Sequence, residues 1–128
     1  MTLELKLLLW SVVIGLLQCV ATGFAVTGQR GIKFGGSARD DQQPIGGIGG
    51  RVIRAYSNFI ETWAFFATLV LVGQLLNRHS ISTVLGANLY FWARVVYWPL
   101  YVLGVPMVRS LVWLVAVLGI VMLLVGVA

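Results

Sequence analysis

Charge is scarce in this chain, and cysteine is nearly missing. Of 128 residues only nine are Lys or Arg and four are Asp or Glu, with one histidine and one cysteine. The lone Cys19 excludes an intramolecular disulfide. It lies midway along an apolar stretch and reads as a small buried hydrophobe. There is no His/Cys cluster of metal-binding spacing, no Ser–His–Asp set and no nucleotide fingerprint, so the expected metal complement is none. The glycines of Ile45-Gly46-Gly47-Ile48-Gly49-Gly50 lack the Gly-Lys-Ser/Thr ending and preceding strand of a phosphate loop, and are expected to form a flexible hinge.

What is present is apolar. A chain of this length that is 59% hydrophobic, with a mean hydropathy of +0.94, could not cover its apolar surface in water. It reads as one small integral membrane domain spanning 1–128. The net charge of +5 comes from basic residues flanking apolar segments. That pattern sets orientation in a bilayer and argues against nucleic acid as a partner.

Four apolar stretches stand out, at 5–26, 52–76, 83–103 and 106–127. Each is long enough, at about 1.5 Å per residue, to cross a hydrocarbon core of about 30 Å. The expectation is an all-α integral membrane protein, a four-transmembrane-helix bundle. The first stretch is too long for a signal-peptide core, and Glu4 precedes Lys6 where a basic leader belongs, so it is expected to be retained. The loop 27–50 holds Arg30, Lys33 and Arg39, with Arg51 and Arg54 at its exit, against only Arg78 and His79 in the next turn. The positive-inside rule places that loop in the cytoplasm and both termini on the far side of an inner or plasma membrane. Arg39, Asp40, Asp41 and His79 are expected in solvated loops. Pro106 suits the first turn of the fourth helix. Pro99 is expected to kink or end the third just before Tyr101.

The few polar residues within the spans are aligned. Arg54, Asn58 and Glu61 fall at i, i+4 and i+7 on the second; Arg94, Tyr97 and Tyr101 fall at i, i+3 and i+7 on the third, with Tyr90 one turn further in. A charge near the bilayer centre costs roughly 2.5–3.5 kcal/mol on insertion scales. Two helices that each line up such groups on one face point to a polar, ligand-holding groove between them. Arg54 alone also fits an interfacial anchor reaching headgroups. Glu61, among Phe59, Trp63, Phe65 and Phe66, must be paired or protonated, either in a salt bridge to Arg94 or Arg54 or on a ligand. Arg109 opens the fourth helix, followed by Ser110 and, at i+4, Trp113. Three arginines suit a small multi-anionic ligand held by bidentate hydrogen bonds. The apolar helix faces beside them would take a lipophilic second partner or lipid from the bilayer.

Two motifs carry a resemblance. Arg54-Ala55-Tyr56-Ser57-Asn58-Phe59-Ile60-Glu61 reads R-A-x-x-N-x-x-E, and Ala93-Arg94-Val95-Val96-Tyr97-Trp98-Pro99-Leu100-Tyr101 is followed by Gly104-Val105-Pro106-Met107-Val108-Arg109-Ser110. In order, over roughly 50–115, they resemble the MAPEG superfamily, membrane-associated proteins in eicosanoid and glutathione metabolism. The chain is similar to a bacterial-type member akin to the microsomal glutathione transferases. The resemblance implies a homotrimer binding glutathione as co-substrate between subunits near the cytoplasmic face. Carried over by position, Arg54, Asn58 and Glu61 would hold the tripeptide's charged ends, with Glu61 facing its α-amino group. Arg94, Tyr97 and Tyr101 would line the same groove. Arg109 would stabilise the thiolate, with Ser110 assisting. Tyr97 stands where the prostaglandin synthase branch has histidine, Ser57 where that branch has a further basic residue, and Thr62 replaces an aromatic of the leukotriene-forming branch. These departures bear on the eicosanoid activities more than on the fold.

The function this implies is glutathione-dependent transfer to, or reduction of, lipophilic electrophiles. Two other classes compete with it. One is a non-catalytic member of the superfamily that binds lipid or a partner protein. The other is a four-span multidrug exporter using Glu61 for proton coupling, though the first span, where such an acid is expected, holds none beyond Glu4 near its end.

Overall fold

The computed structural model describes residues 1–30 and 46–128, the side chains of 29 and 30 excepted. The described chain is all-helical: α1 (Leu3–Arg30), α2 (Gly47–Leu75), α3 (Ile81–Leu103) and α4 (Pro106–Val127). Expected Lys33, Arg39, Asp40 and Asp41 lie outside the described residues.

α4 has the bounds the sequence suggests, because strong punctuation sets them. Gly104 adopts the left-handed conformation at φ 78° and closes α3, its N–H reaching the carbonyls of Leu100 and Tyr101. Pro106 then opens α4 at its first turn, where a missing N–H is harmless. At the other end of α3, Ser80 and Thr83 form a capping box, each side chain accepting from the other's backbone N–H.

Of the two outcomes expected at Pro99, a kink or a helix end, the end does not occur: α3 continues to Leu103, and membrane helices tolerate proline where neighbouring groups re-satisfy the freed carbonyl. Two expectations need correction. Gly47–Gly50 is not a hinge but the first turn of α2, with Gly50 buried. Cys19 is exposed on the protomer surface, not buried. The polar residues 27–30 also remain helical, so α1 runs four residues past the apolar stretch.

α1, α2 and α4 are long and apolar enough to cross a membrane. α3, with 23 residues, has the length, about 35 Å, but carries Asn88, Arg94, three tyrosines and Pro99. It touches all three other helices, so those polar groups have protein to face.

α3 and α4 form the most extensive pairing, while α1 packs on α2 and α3 without touching α4. The α3–α4 crossing is at Gly86 and Gly119. A methyl group on either would sit 2.6 Å from the other's carbonyl oxygen, so only glycine permits this approach. The central layer stacks Phe66 on Tyr90, with ring centroids 4.3 Å apart, around Leu7, Val70, Ala87, Ala116 and Leu123. Tyr90 is therefore core rather than groove, and its hydroxyl pairs with Thr62 Oγ1 at 3.0 Å.

α1 contributes a polar stripe at every seventh residue. Glu4, Ser11 and Gln18 are all buried. Glu4 accepts from Thr83 Oγ1 at 2.7 Å and lies 3.6 Å from His79 Nδ1. Ser11 Oγ accepts from Trp63 Nε1 at 2.9 Å. At the same end as Glu4, Thr2 donates to Gln74, and Arg78 donates to the carbonyl of Ala128. The N terminus, the α2–α3 turn and the C terminus thus meet at one end of the bundle. The polar site lies at the other.

Candidate functional site

The site forms where the C-terminal end of α3, the start of α4 and the first turns of α2 converge. Two adjoining clefts share Tyr101 and Arg109. One, of about 270 Å³, is lined by Asn58, Tyr97, Tyr101, Arg109, Ser110 and Trp113. The other, of about 250 Å³, is lined by Arg51, Arg54, Tyr101, Gly104, Pro106 and Arg109.

Local geometry places each cation. The Gly104–Pro106 break turns the chain so that Arg109, one turn into α4, folds back over the Tyr101 ring at 4.6 Å. This cation–π contact holds the guanidinium at the boundary of the two clefts. Arg51 donates from Nη1 to the Val102 carbonyl at 3.2 Å, capping the free carbonyl end of α3 where positive charge is favoured. Arg54 lies one turn deeper along α2 and is exposed. Three guanidinium groups thus line the two adjoining clefts, and among the described residues no carboxylate lines either.

Arg94 occupies a different position from the others. Only 2% exposed, it lies behind the cleft wall rather than in its lining. Its Nη1 donates to Asn58 Oδ1 at 2.8 Å, and its guanidinium stacks over Tyr97 at 4.2 Å and Phe59 at 5.5 Å. Arg94 therefore supports Asn58 and Tyr97 from behind the cleft wall and is not itself part of its lining. Tyr97 and Tyr101 lie side by side, ring centroids 5.6 Å apart. Ser110, on the cleft lining, donates to the Pro106 carbonyl at 3.3 Å.

Glu61 is on the same face of α2 as Arg54 and Asn58 but is exposed and lines neither cleft. The expected salt bridge to Arg94 or Arg54 is not formed among the described residues. Sequence reasoning had the arginines and tyrosines but gave no site role to Arg51 and Trp113. The i, i+4 spacing of Arg109 and Trp113 was the available signal. The indole Nε1 of Trp113 is buried with no partner among the described residues, a donor held ready at the cleft wall.

Chemically, the clefts present cations with phenol, amide and indole groups beside them at one end of the bundle, a lining suited to negative charge. The MAPEG family model matches residues 7–128. The chain belongs to the MAPEG family. No curated protein and no solved structure matches it.

Proposed function

We propose that this protein is a membrane-bound, glutathione-dependent transferase or peroxidase acting as a homotrimer on lipophilic electrophiles drawn from the bilayer. The observation that carries this reading is the cleft with Arg51, Arg54 and Arg109 around it and, among the described residues, no carboxylate in its lining. Glutathione, a small peptide with two carboxylates and an ionisable thiol, matches that charge, and family membership agrees with a glutathione-related role.

In this reading Arg51 and Arg54 take the peptide carboxylates through bidentate hydrogen bonds, and Asn58, fixed by Arg94, bonds the peptide backbone. Arg109 sits beside the sulfur. A thiol of pKa about 8.5 loses its proton more readily next to a cation, and each unit of lowering corresponds to about 1.4 kcal/mol. The thiol proton leaves to solvent, and Ser110 and Tyr101 offer further hydrogen bonds to the sulfur anion. In transfer, a sulfur lone pair forms the new S–C bond, and the displaced electron pair goes to the leaving group or to the acceptor's activating group, which takes up a proton. In peroxide reduction, sulfur attacks the terminal oxygen and the O–O bond breaks. The alcohol departs with a proton, and a second glutathione converts the sulfenic acid to disulfide and water.

Glu61 supports the oligomer. An exposed carboxylate within the membrane-spanning part of α2 is costly against lipid, so that face is covered by a second copy. There Glu61 meets the α-amino group of a glutathione bound between subunits. The Arg51 end of the bundle faces the cytoplasm, and both termini lie across the membrane.

The test is glutathione titrated into the purified trimer while following the ultraviolet thiolate band. A saturable signal that is lost in Arg109→Ala is expected. An intact trimer without that signal would overturn the reading and favour a non-catalytic lipid- or partner-binding role.

A further inference from the structure

A second cavity lies between α1 and α3, away from the cationic clefts and sharing no lining residue with them. It measures about 200 Å³ and is bounded by Ile14, Leu17, Gln18, Val95 and Trp98. Its walls are aliphatic apart from two groups. Gln18 is only 3% exposed, and neither its Oε1 nor its Nε2 has a hydrogen-bond partner among the described residues. The Nε1 of Trp98 is likewise buried and unpaired.

Unpaired buried polar groups are rare in folded proteins, and each one calls for an explanation. In hydrocarbon the cost is higher, because no water is at hand to bond them. Ser11, on the same stripe of α1, has its partners in Leu8 and Trp63, and Glu4 has Thr83. Gln18 is the member of the stripe left without one.

We infer that the α1–α3 groove binds a neutral lipophile whose ketone- or aldehyde-type carbonyl accepts hydrogen bonds from Gln18 Nε2 and Trp98 Nε1. The chemistry of the walls selects that class. Two of the three free polar positions are donors, so the ligand group is an acceptor. Among the described residues no cation lines the groove, so an anionic headgroup finds nothing there to offset its charge. Depth excludes ordinary phospholipid esters. Gln18 lies eight residues, about 12 Å, inside the nearer end of the 5–26 apolar stretch, below the level of interfacial ester groups. The remaining aliphatic walls, Ile14, Leu17 and Val95, accept the chain of such a molecule from the bilayer. This site stands whether or not glutathione occupies the other.

The experiment measures the melting temperature of the detergent-solubilised protein against rising concentrations of a long-chain methyl ketone, the n-alkane of equal length and the corresponding fatty acid, converting each shift to a Kd. The ketone is expected to bind about tenfold tighter than the alkane, equivalent to about 1.4 kcal/mol, and tighter than the fatty acid. In Gln18→Leu that ratio falls to about one while the alkane still binds. Trp98→Phe lowers it by about threefold, and carries the test if Gln18→Leu does not fold. Equal ketone and alkane affinities in the unaltered protein, a ratio that survives both substitutions, or a fatty acid that matches the ketone would each overturn the assignment.

Discussion

Arg94 donates to Asn58 across 2.8 Å from a position 2% exposed to solvent, so a buried cation on α3 fixes a cleft amide on α2. The pair joins the two helices that touch every other helix in the bundle.

Asn58→Ala strips Arg94 of its only hydrogen-bond acceptor among the described residues, since Arg94 Nε is already unpaired. Leaving a buried charged donor unsatisfied costs about 1–3 kcal/mol or more. The expected result is a lowered melting temperature, partly recovered when Arg94→Met is added. A double-mutant cycle should return a coupling of about 1–2 kcal/mol; a coupling near zero would show the two residues to be independent.

Gly119→Ala tests the α3–α4 crossing that holds the cleft's two walls together. The added methyl would lie 2.6 Å from the Gly86 carbonyl oxygen and 2.7 Å from the Tyr90 backbone nitrogen. Those are backbone atoms, so the helices must separate, at a cost of about 1–3 kcal/mol. Because Tyr101 is on α3 and Arg109 on α4, glutathione binding should weaken together with thermal stability. Stability and binding both unchanged in this variant would contradict the close crossing.

Much of this architecture was legible because the sequence is sparsely punctuated. Gly104 and Pro106 bracket the α3–α4 turn, so α4 begins and ends where its apolar run does. The cluster of Arg54, Tyr97, Tyr101 and Arg109 was legible because charges inside apolar spans have so few places to go. Helical spacing placed Arg94 on the same face as Tyr97 and Tyr101, but spacing cannot say which residue on a face is enclosed by neighbours. That depends on Phe59 and Asn58 closing over the guanidinium. The start of α2 was misread because glycine signals a turn locally, whereas Gly50 here is buried in a helix. The stripe of Glu4, Ser11 and Gln18 went unread because each residue looked isolated within a long apolar run, although their spacing of seven marks one helix face.

Thr83→Val probes the opposite end of the bundle. The threonine hydroxyl accepts from the Ser80 N–H at 2.9 Å and donates to Glu4 at 2.7 Å. Valine keeps the shape but removes half of the capping box and the hydroxyl donor to the buried Glu4 carboxylate, leaving it His79 alone at 3.6 Å, for a loss of about 1–3 kcal/mol. The melting temperature should fall while glutathione affinity, measured below that temperature, stays as in the unaltered protein. A parallel loss of affinity would mean that the two ends are coupled through α3.

Glu61→Gln separates the protomer from the assembly. Glu61 is exposed and makes no ion pair among the described residues, so no salt bridge within the four-helix fold depends on its charge. Neutralising it removes a carboxylate from a membrane-embedded face, which on insertion scales relieves a cost of order 2.5 kcal/mol for an acid at the helix centre. If that face stayed against lipid, Glu61→Gln would be more stable and bind glutathione unchanged. If the face meets a second copy and the carboxylate holds the peptide's ammonium group, the variant should instead lose about tenfold or more in glutathione affinity, about 1.4 kcal/mol. Its trimer should persist by native mass spectrometry. The lost bond is a charge-assisted one, so Glu61→Asp, which keeps the charge one methylene further back, should recover part of the affinity while Glu61→Gln does not. Full affinity in Glu61→Gln would remove this residue from the site and leave binding to the arginines of the cleft.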